Sequence, residues 1–295
     1  MNFKEELTNY QILIEEQLNK YIDKTDCPER ILNESIEYSL LAGGKRLRPT
    51  LMLSTYKMFD TNIEECFMLA VAMEMVHNFS LIHDDLPGID NDNLRHGKPT
   101  NHIKFNEATA ILAGDALLNK AYTLMSEYLK KETEANIFKK IEALGLFSES
   151  ISKMIIGEYI DTENEGKMIT GEYLEYMHKH KTGALIKASV QIGAILANAS
   201  DEDIENLGEF AEKIGLAFQI KDDILSEIGN VEILGKPVGN DKERGKATFI
   251  AIYGLKESQE ILDIVIKDAL DCLEKYGEKA DFLRELTLYI KNREK

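Results

Sequence analysis

The sequence predicts an all-α fold. Apolar residues recur at three-to-four spacing over long windows, no stretch sustains the period-two alternation of a strand, and the chain is free of proline between Pro99 and Pro237. In chain order, the N-terminal MNFKEELTNYQILIEEQLNKYI has helical periodicity and predicts a helix over 3–22. A second helix, over 29–42, stops at Gly43-Gly44, and a third covers 49–59. The apolar run MLAVAMEMVHNFSLIH belongs to a helix over 63–85 that Pro87-Gly88 ends. After the Gly97 to Pro99 break, the proline-free stretch reads as helices over 106–131, 134–161, 170–198 and 202–227. Beyond the glycine-punctuated segment 229–245, three more follow at 247–256, 258–276 and 280–291. None of the breaks has the composition of a flexible linker, so residues 1–295 read as one all-helical domain.

Composition narrows the function. With 295 residues and 44% hydrophobic content the chain can bury a large core. Lys and Arg number 35 against 52 Asp and Glu, a formal charge of -17, which excludes a general attraction to nucleic acid or anionic lipid. Any anion must be held locally. Cys27, Cys66 and Cys272 are scattered and odd in number, which fits a reducing compartment and core packing better than a disulfide framework. The N-terminus lacks the layout of a signal peptide and no 18-residue apolar run occurs, so a cytoplasmic protein without membrane insertion is expected.

Two adjacent acid pairs carry the functional signal. Asp84-Asp85 follows MLAVAMEMVHNFSLIH, and Asp222-Asp223 follows FAEKIGLAFQI, so each pair closes a mostly apolar helix. Such acids read either as solvated helix ends or as ligands. Aspartate near a helix C-terminus opposes the helix dipole by a few tenths to about 1 kcal/mol, a cost that a bound cation removes. Magnesium suits this donor set, because it takes one or two carboxylates together with water and phosphate oxygens. Pro87 bars regular helix through LPGI, so Asp90 is expected to fold back beside Asp84. His77 lies seven residues, two turns, before Asp84 and nearly on its face, and it reads either as part of the site or as a buried histidine bonded to a carbonyl.

Three short basic segments complement the acids. AGGKRLRPT (42–50) offers Lys45, Arg46 and Arg48 as a clamp for a diphosphate. LRHGKPT (94–100) carries Arg95, His96 and Lys98. HKHKTGALI (178–186) places Lys181 and Thr182 at the start of an apolar helical run.

The ordered set GGKRLRP, HDDLPGIDNDNLRHGKPTNH, MHKHKTGALI, FQIKDDIL and GKPVGNDKERGKAT resembles the bacterial short-chain trans-isoprenyl diphosphate synthases, the farnesyl diphosphate synthases in particular, from about residue 30 to the C-terminus. The resemblance implies the all-helical isoprenoid synthase fold, with long, mostly antiparallel helices around a deep central cavity. It implies a homodimer, diphosphate substrates and three magnesium ions. It assigns catalysis to Asp84, Asp85, Asp90, Lys181 and Asp222, with the metals on Asp84, Asp85, Asp90 and Asp222. Arg95, Lys181, Thr182, Gln219 and Lys236 would grip the allylic diphosphate, with Lys246 in a closing loop nearby. Lys45, Arg48, His77 and His96 would serve isopentenyl diphosphate.

The sequence departs from the family pattern in places. Arg95-His96 stands where two arginines are usual, which makes the grip on isopentenyl diphosphate weaker and dependent on pH. The second acidic motif ends in Ser226 where a third aspartate is usual. Glu158 and Asn93 stand where an amide and an acid are more frequent. Product length is implied by Phe79, with Ser80: Phe79 lies about 7.5 Å along the helix axis from Asp84, and an aromatic there, together with the Pro87-Gly88 insertion, accompanies the fifteen-carbon product. Ordinary core packing explains Phe79 equally simply. A geranylgeranyl diphosphate synthase is the nearest alternative, a weakly active or regulatory subunit of a heteromeric synthase another. A class I terpene cyclase fits less well, because Asn230 breaks its second motif and GGKRLRP implies a second diphosphate.

Overall fold

In the computed structural model the described residues are 2–22, 27–130, 137–228 and 246–293. They fall into two compact units, one comprising Met1–Leu53 with Asn62–Glu142, the other Ser54–Thr61 with Ala143–Lys295. The chain is all-helical, as its sequence predicts, and its three cysteines are free thiols.

The first unit is organised by α4 (Phe67–Asp84). Residues Leu69 to Val76, then Asn78, Phe79 and Ile82, are all buried, so this helix is apolar nearly all round and forms the interior of its unit. It packs on α6 (Glu107–Lys130), whose buried stripe Ala110, Ala113, Gly114, Leu117 and Ala121 is small enough to admit a close helix. Around this pair stand α1 (Phe3–Lys20), α2 (Arg30–Leu40) and the short α5 (Asn101–Lys104), while α3 (Leu47–Lys57) runs between the units in sequence. By length and composition the segment Ile63–Asp84 passes as a membrane span, but it carries Glu74 and 67% of its apolar window is buried inside the protein, as in a core helix.

The second unit centres on α10 (Asp201–Ile228), which packs on α9 (Ala184–Leu196) and α11 (Phe249–Cys272). Ala217, Ile220 and Ile224 of α10 share a core with Leu174 and Met177 of α8 (Gly171–His178) and with Phe249, Leu262 and Ile266 of α11. α7 (Ile137–Glu163) enters from the first unit in sequence, and α12 (Asp281–Asn292) closes the chain.

Three details differ from the sequence expectation. The single helix predicted over 170–198 contains a π turn at Lys179–Gly183 between α8 and α9. The break expected near residue 257 falls at Gly254, whose φ of 75° is open to glycine at no steric cost. A two-residue hairpin, β1 (Leu94–Arg95) with β2 (Lys98–Pro99), had no signal in the hydrophobic pattern because its strands are too short to alternate. The predicted start at 134 and the punctuated segment 229–245 lie outside the described residues.

Candidate active site

In the first unit the acidic motif is a reversal at the end of α4. Asp85 is its C-cap, and Pro87 prevents another helical turn. The chain then bonds back on itself: Leu86 N–H to His83 O, Ile89 N–H to Leu86 O, and Asp90 N–H to Asp84 O at 2.8 Å. Asp90 therefore returns beside Asp84, as the position of Pro87 led one to expect. In the hairpin, Leu94 pairs with Pro99 and Arg95 with Lys98, leaving His96 and Gly97 as the two turn residues. Both take positive φ, 52° and 74°, the geometry that suits a two-residue antiparallel turn.

The hairpin aims Arg95 at the acids. Its Nε lies 2.8 Å from Asp85 Oδ2 and its Nη2 2.6 Å from Asp85 Oδ1, with Asp84 Oδ2 at 3.6 Å. Burial opposes the Arg95 charge, but the hydrogen bonds and charge of Asp85 outweigh it and hold the guanidinium above its ordinary pKa. Asp85, only 3% exposed, is thus committed to an arginine, while Asp84 and Asp90 share the turn.

The two arginines of GGKRLRP have opposite surroundings. Arg46, with φ 49°, turns inward and bonds Glu15 Oε1, Glu74 Oε1 and Leu40 O, each at 2.7 Å. It is a structural cation rather than the clamp that its neighbours suggested. Arg48 has a buried Nε without a hydrogen-bond partner, and burial lowers its pKa to about 10 against the pull of Glu74. A buried guanidinium N–H left open asks for an anion that the protein does not itself provide. His77 lies in the field of the same groups: its own desolvation, then Arg48, Arg95, Arg46 and His96, push it well below the ordinary histidine value, so the ring is neutral. The Gly44 Cα faces His96, whose Nε2 would stand 3.8 Å from an added Cβ. Arg48, His77, Arg95 and His96 are therefore neighbours within one unit. Lys45 is partly buried, with its carbonyl accepting from Gln11 Nε2. Ser80 Oγ donates to His77 O, and Phe79 is buried beside His83.

In the second unit the basic segment lies in the π turn. Such single widened turns recur at functional positions. The turn presses on α7 at Gly157, where a Cβ would stand 2.1 Å from Lys181 N, so only glycine allows the approach. Lys181 Nζ is held by Asp161 Oδ2 at 2.7 Å and by Glu158 Oε2 at 2.8 Å. Lys246 lies 3.9 Å from the same Asp161 oxygen. Burial disfavours the Asp161 carboxylate, but Lys181 and then Lys246 outweigh it and keep its pKa below the ordinary range.

Thr182, on the same turn, starts a relay. Its Oγ1 donates to Gln219 Oε1, Gln219 Nε2 donates to Asp223 Oδ1, and Asp223 Oδ2 accepts the Phe249 N–H at 2.8 Å. The second acid of the pair is thus buried and anchors the start of α11, while Asp222 is 41% exposed at its side chain and pairs with Arg293 at 2.7 Å. Lys236 lies outside the described residues.

Among the described residues no group of three or more His, Cys, Asp and Glu side chains forms a complete metal cage. The donors still suit magnesium, which accepts one or two carboxylates and leaves its other positions to water and phosphate. Asp161, Gly157 and Arg293 had no assigned role in the sequence, and Asp223 stood only as the second member of an acid pair. For Asp161 a signal existed in the acidic segment after Glu158, but only the fold brings Lys181 to it.

His178 is 5% exposed, has no partner for either ring nitrogen and stacks on Phe249 at 5.8 Å. Burial, opposed by Asp161 and aided by Lys181, lowers its pKa to about 3. An unfolded histidine titrates near 6.5, so between about pH 6.5 and 3 the unfolded chain takes up a proton that the folded chain refuses. Stability is then lost as pH falls, by up to about 1.4 kcal/mol per pH unit. His178→Phe is expected to flatten the dependence of urea stability on pH between 6 and 4 by about one proton; an unchanged slope would show that His178 is not buried neutral.

Known proteins resemble the chain over nearly its whole length. A family profile described as polyprenyl synthetase matches residues 29–282. The chain is 41% identical to a farnesyl diphosphate synthase of Micrococcus luteus, over 96% of this chain and 95% of that protein. It is also 41% identical to a geranylgeranyl diphosphate synthase of Cyanophora paradoxa, over 95% and 93%. Among solved structures, a geranyltransferase from Helicobacter pylori complexed with magnesium and isoprenyl diphosphate superposes with a TM-score of 0.82 at 30% identity, over 97% of this chain and 96% of that one.

Proposed function

The chain belongs to the polyprenyl synthetase family, and from that membership we propose that it condenses isopentenyl diphosphate with dimethylallyl or geranyl diphosphate to give farnesyl diphosphate. The observation that carries the reading is the pairing of an acidic turn, Asp84 with Asp90, and a half-buried arginine, Arg48, whose buried Nε has no partner among the described residues and is left for an anion.

In this reaction the carbon–oxygen bond of the allylic diphosphate breaks, the double bond of isopentenyl diphosphate attacks the allylic cation, and a proton passes to the departed diphosphate. Asp84, Asp85 and Asp90 from the first motif and Asp222 from the second would hold magnesium, three ions in all, and Asp85 also sets Arg95. Magnesium, when bound, supplies the positive charge that makes diphosphate a leaving group. The chain itself supplies position and fixed charge. In the second unit Lys181, Thr182, Gln219, Lys236 and Lys246 would bind the allylic diphosphate, with the Gln219 amide fixed by the Thr182–Gln219–Asp223 relay, and in the first unit Arg95 is a further diphosphate ligand. Arg48 and Lys45 hold isopentenyl diphosphate. His77, being neutral, hydrogen-bonds there without adding charge, and His96 adds a titratable contact. For diphosphate to occupy Lys181, it competes with Glu158 and Asp161, which now hold the ammonium.

We read the two units as one functional domain of a cytoplasmic enzyme that works as a homodimer, with the exposed Ile111 and Leu112 of α6 as support for self-association. We assign Phe79, with Ser80 beside it, to the floor of the tail site, a reading that the burial of Phe79 supports and that favours the fifteen-carbon product. Identity alone does not separate the twenty-carbon reading, because relatives of both kinds match equally well.

The test is turnover of isopentenyl and geranyl diphosphates by the purified chain with magnesium. Farnesyl diphosphate is the expected product. A twenty-carbon product would select the alternative, and no product between pH 6 and 9 would leave a partner subunit as the better description.

A further inference from the structure

Gly114 lies in the middle of α6 with an ordinary helical φ, where alanine would favour the helix more. Such a glycine needs a packing reason. The reason is His83: a Cβ on Gly114 would stand 2.2 Å from His83 Nε2 and 2.4 Å from its Cδ2. The imidazole fills the space that the missing methyl leaves on α6.

His83 is fixed in that seat. Its Nε2 lies 3.0 Å from Ile111 O, and since a carbonyl only accepts, Nε2 carries the proton. Asp115 Oδ1 is 3.9 Å from the same nitrogen. The other side of the ring meets Phe79, four residues and one turn earlier on α4, edge to face with centroids 5.1 Å apart and planes at 81°. Phe79 is therefore wedged through His83 against α6 and cannot swing toward that helix.

Resting on the reading that Phe79 floors the tail site, we propose that His83 and Gly114 determine product length by holding the Phe79 ring in place. His83 is a positioning residue: it acts on the hydrocarbon only through Phe79. Removing its ring opens a void beside Phe79, into which the phenyl moves, and the site deepens for a longer tail.

The experiment is the ratio of twenty-carbon to fifteen-carbon product, by chromatography, with geranyl diphosphate and excess isopentenyl diphosphate. His83→Ala is expected to raise the ratio roughly tenfold, the scale on which pockets discriminate small hydrocarbon increments, whereas Gly114→Ala, whose Cβ drives the imidazole off α6 toward Phe79, is expected to lower it. His83→Gln keeps an N–H for Ile111 O but has no ring edge, so it too raises the ratio, and it decides the matter if His83→Ala fails to fold. Phe79→Ala raises the ratio at least as far, and adding His83→Ala to it raises it no further, because both act through one ring. A merely structural His83 would lower the melting temperature and leave the ratio alone. If Phe79→Ala lengthens the product while the His83 and Gly114 variants keep the wild-type ratio, the proposal is overturned and the floor assignment stands. If Phe79→Ala leaves the ratio unchanged, the floor assignment itself falls.

Discussion

Replacing Asp84 by alanine is expected to lower kcat/KM for the allylic substrate by about 10³-fold, or about 4 kcal/mol of transition-state stabilisation. The magnitude follows from what the carboxylate does. Diphosphate leaves only if its growing charge is neutralised where it forms, and Asp84 shares a turn with Asp90 at the end of an apolar helix, the arrangement proposed to hold metal. Stability responds differently. At the C-terminus of α4 the charge of Asp84 opposes the helix dipole, and its ion pair with Arg95, at 3.6 Å, is the longer of that arginine's two contacts. The variant should therefore unfold within about 1 kcal/mol of the parent. Steady-state kinetics at saturating magnesium, together with a urea melt, separate the two effects. Undiminished turnover would remove the acidic turn from the chemistry altogether.

Arg46→Met is expected to cost about 3–5 kcal/mol of stability, which for a domain of ordinary stability is a large share of the total. Glu74 has a side chain only 3% exposed and lies in the most apolar helix of the first unit, with Arg46 Nη1 at 2.7 Å. Without the guanidinium its carboxylate stays buried without that cation. Glu15, at 35% exposure, keeps water and adds little to the cost. Replacing both buried partners, Arg46→Met with Glu74→Leu, should restore most of the loss, because exchanging a buried pair for apolar side chains of similar size is close to neutral. A single variant that lost less than about 1 kcal/mol in urea would mean that the pair is not a buried support of the fold.

Much of the fold was legible in the sequence, for identifiable reasons. α4 and α10 announce themselves because their apolar residues recur with the period of a helix and their ends carry proline or paired acids. The return of Asp90 to Asp84 followed from Pro87 alone. What stayed hidden depends on distant partners. Arg46 and Arg48 are two residues apart and chemically the same, and only the positions of Glu15 and Glu74 make one structural and leave the other with an open donor. Asp222 and Asp223 are likewise indistinguishable in sequence, yet one is half-exposed and the other holds the first N–H of α11. The grip of Glu158 and Asp161 on Lys181 spans separate helices, so no local pattern encodes it.

The π turn at Lys179–Gly183 hides from the hydrophobic pattern because its residues, Lys-His-Lys-Thr-Gly, carry no apolar side chain that would mark the extra residue. It also sets a phase. Leu174 and Met177 before it and Leu185 and Ile186 after it are all buried, though the widened turn offsets one set from the other around the axis. Ordinary winding of the same five residues would instead rotate one set relative to the other and point half of these side chains at water. Family lineages should accordingly keep the widened turn together with Lys181 and Thr182.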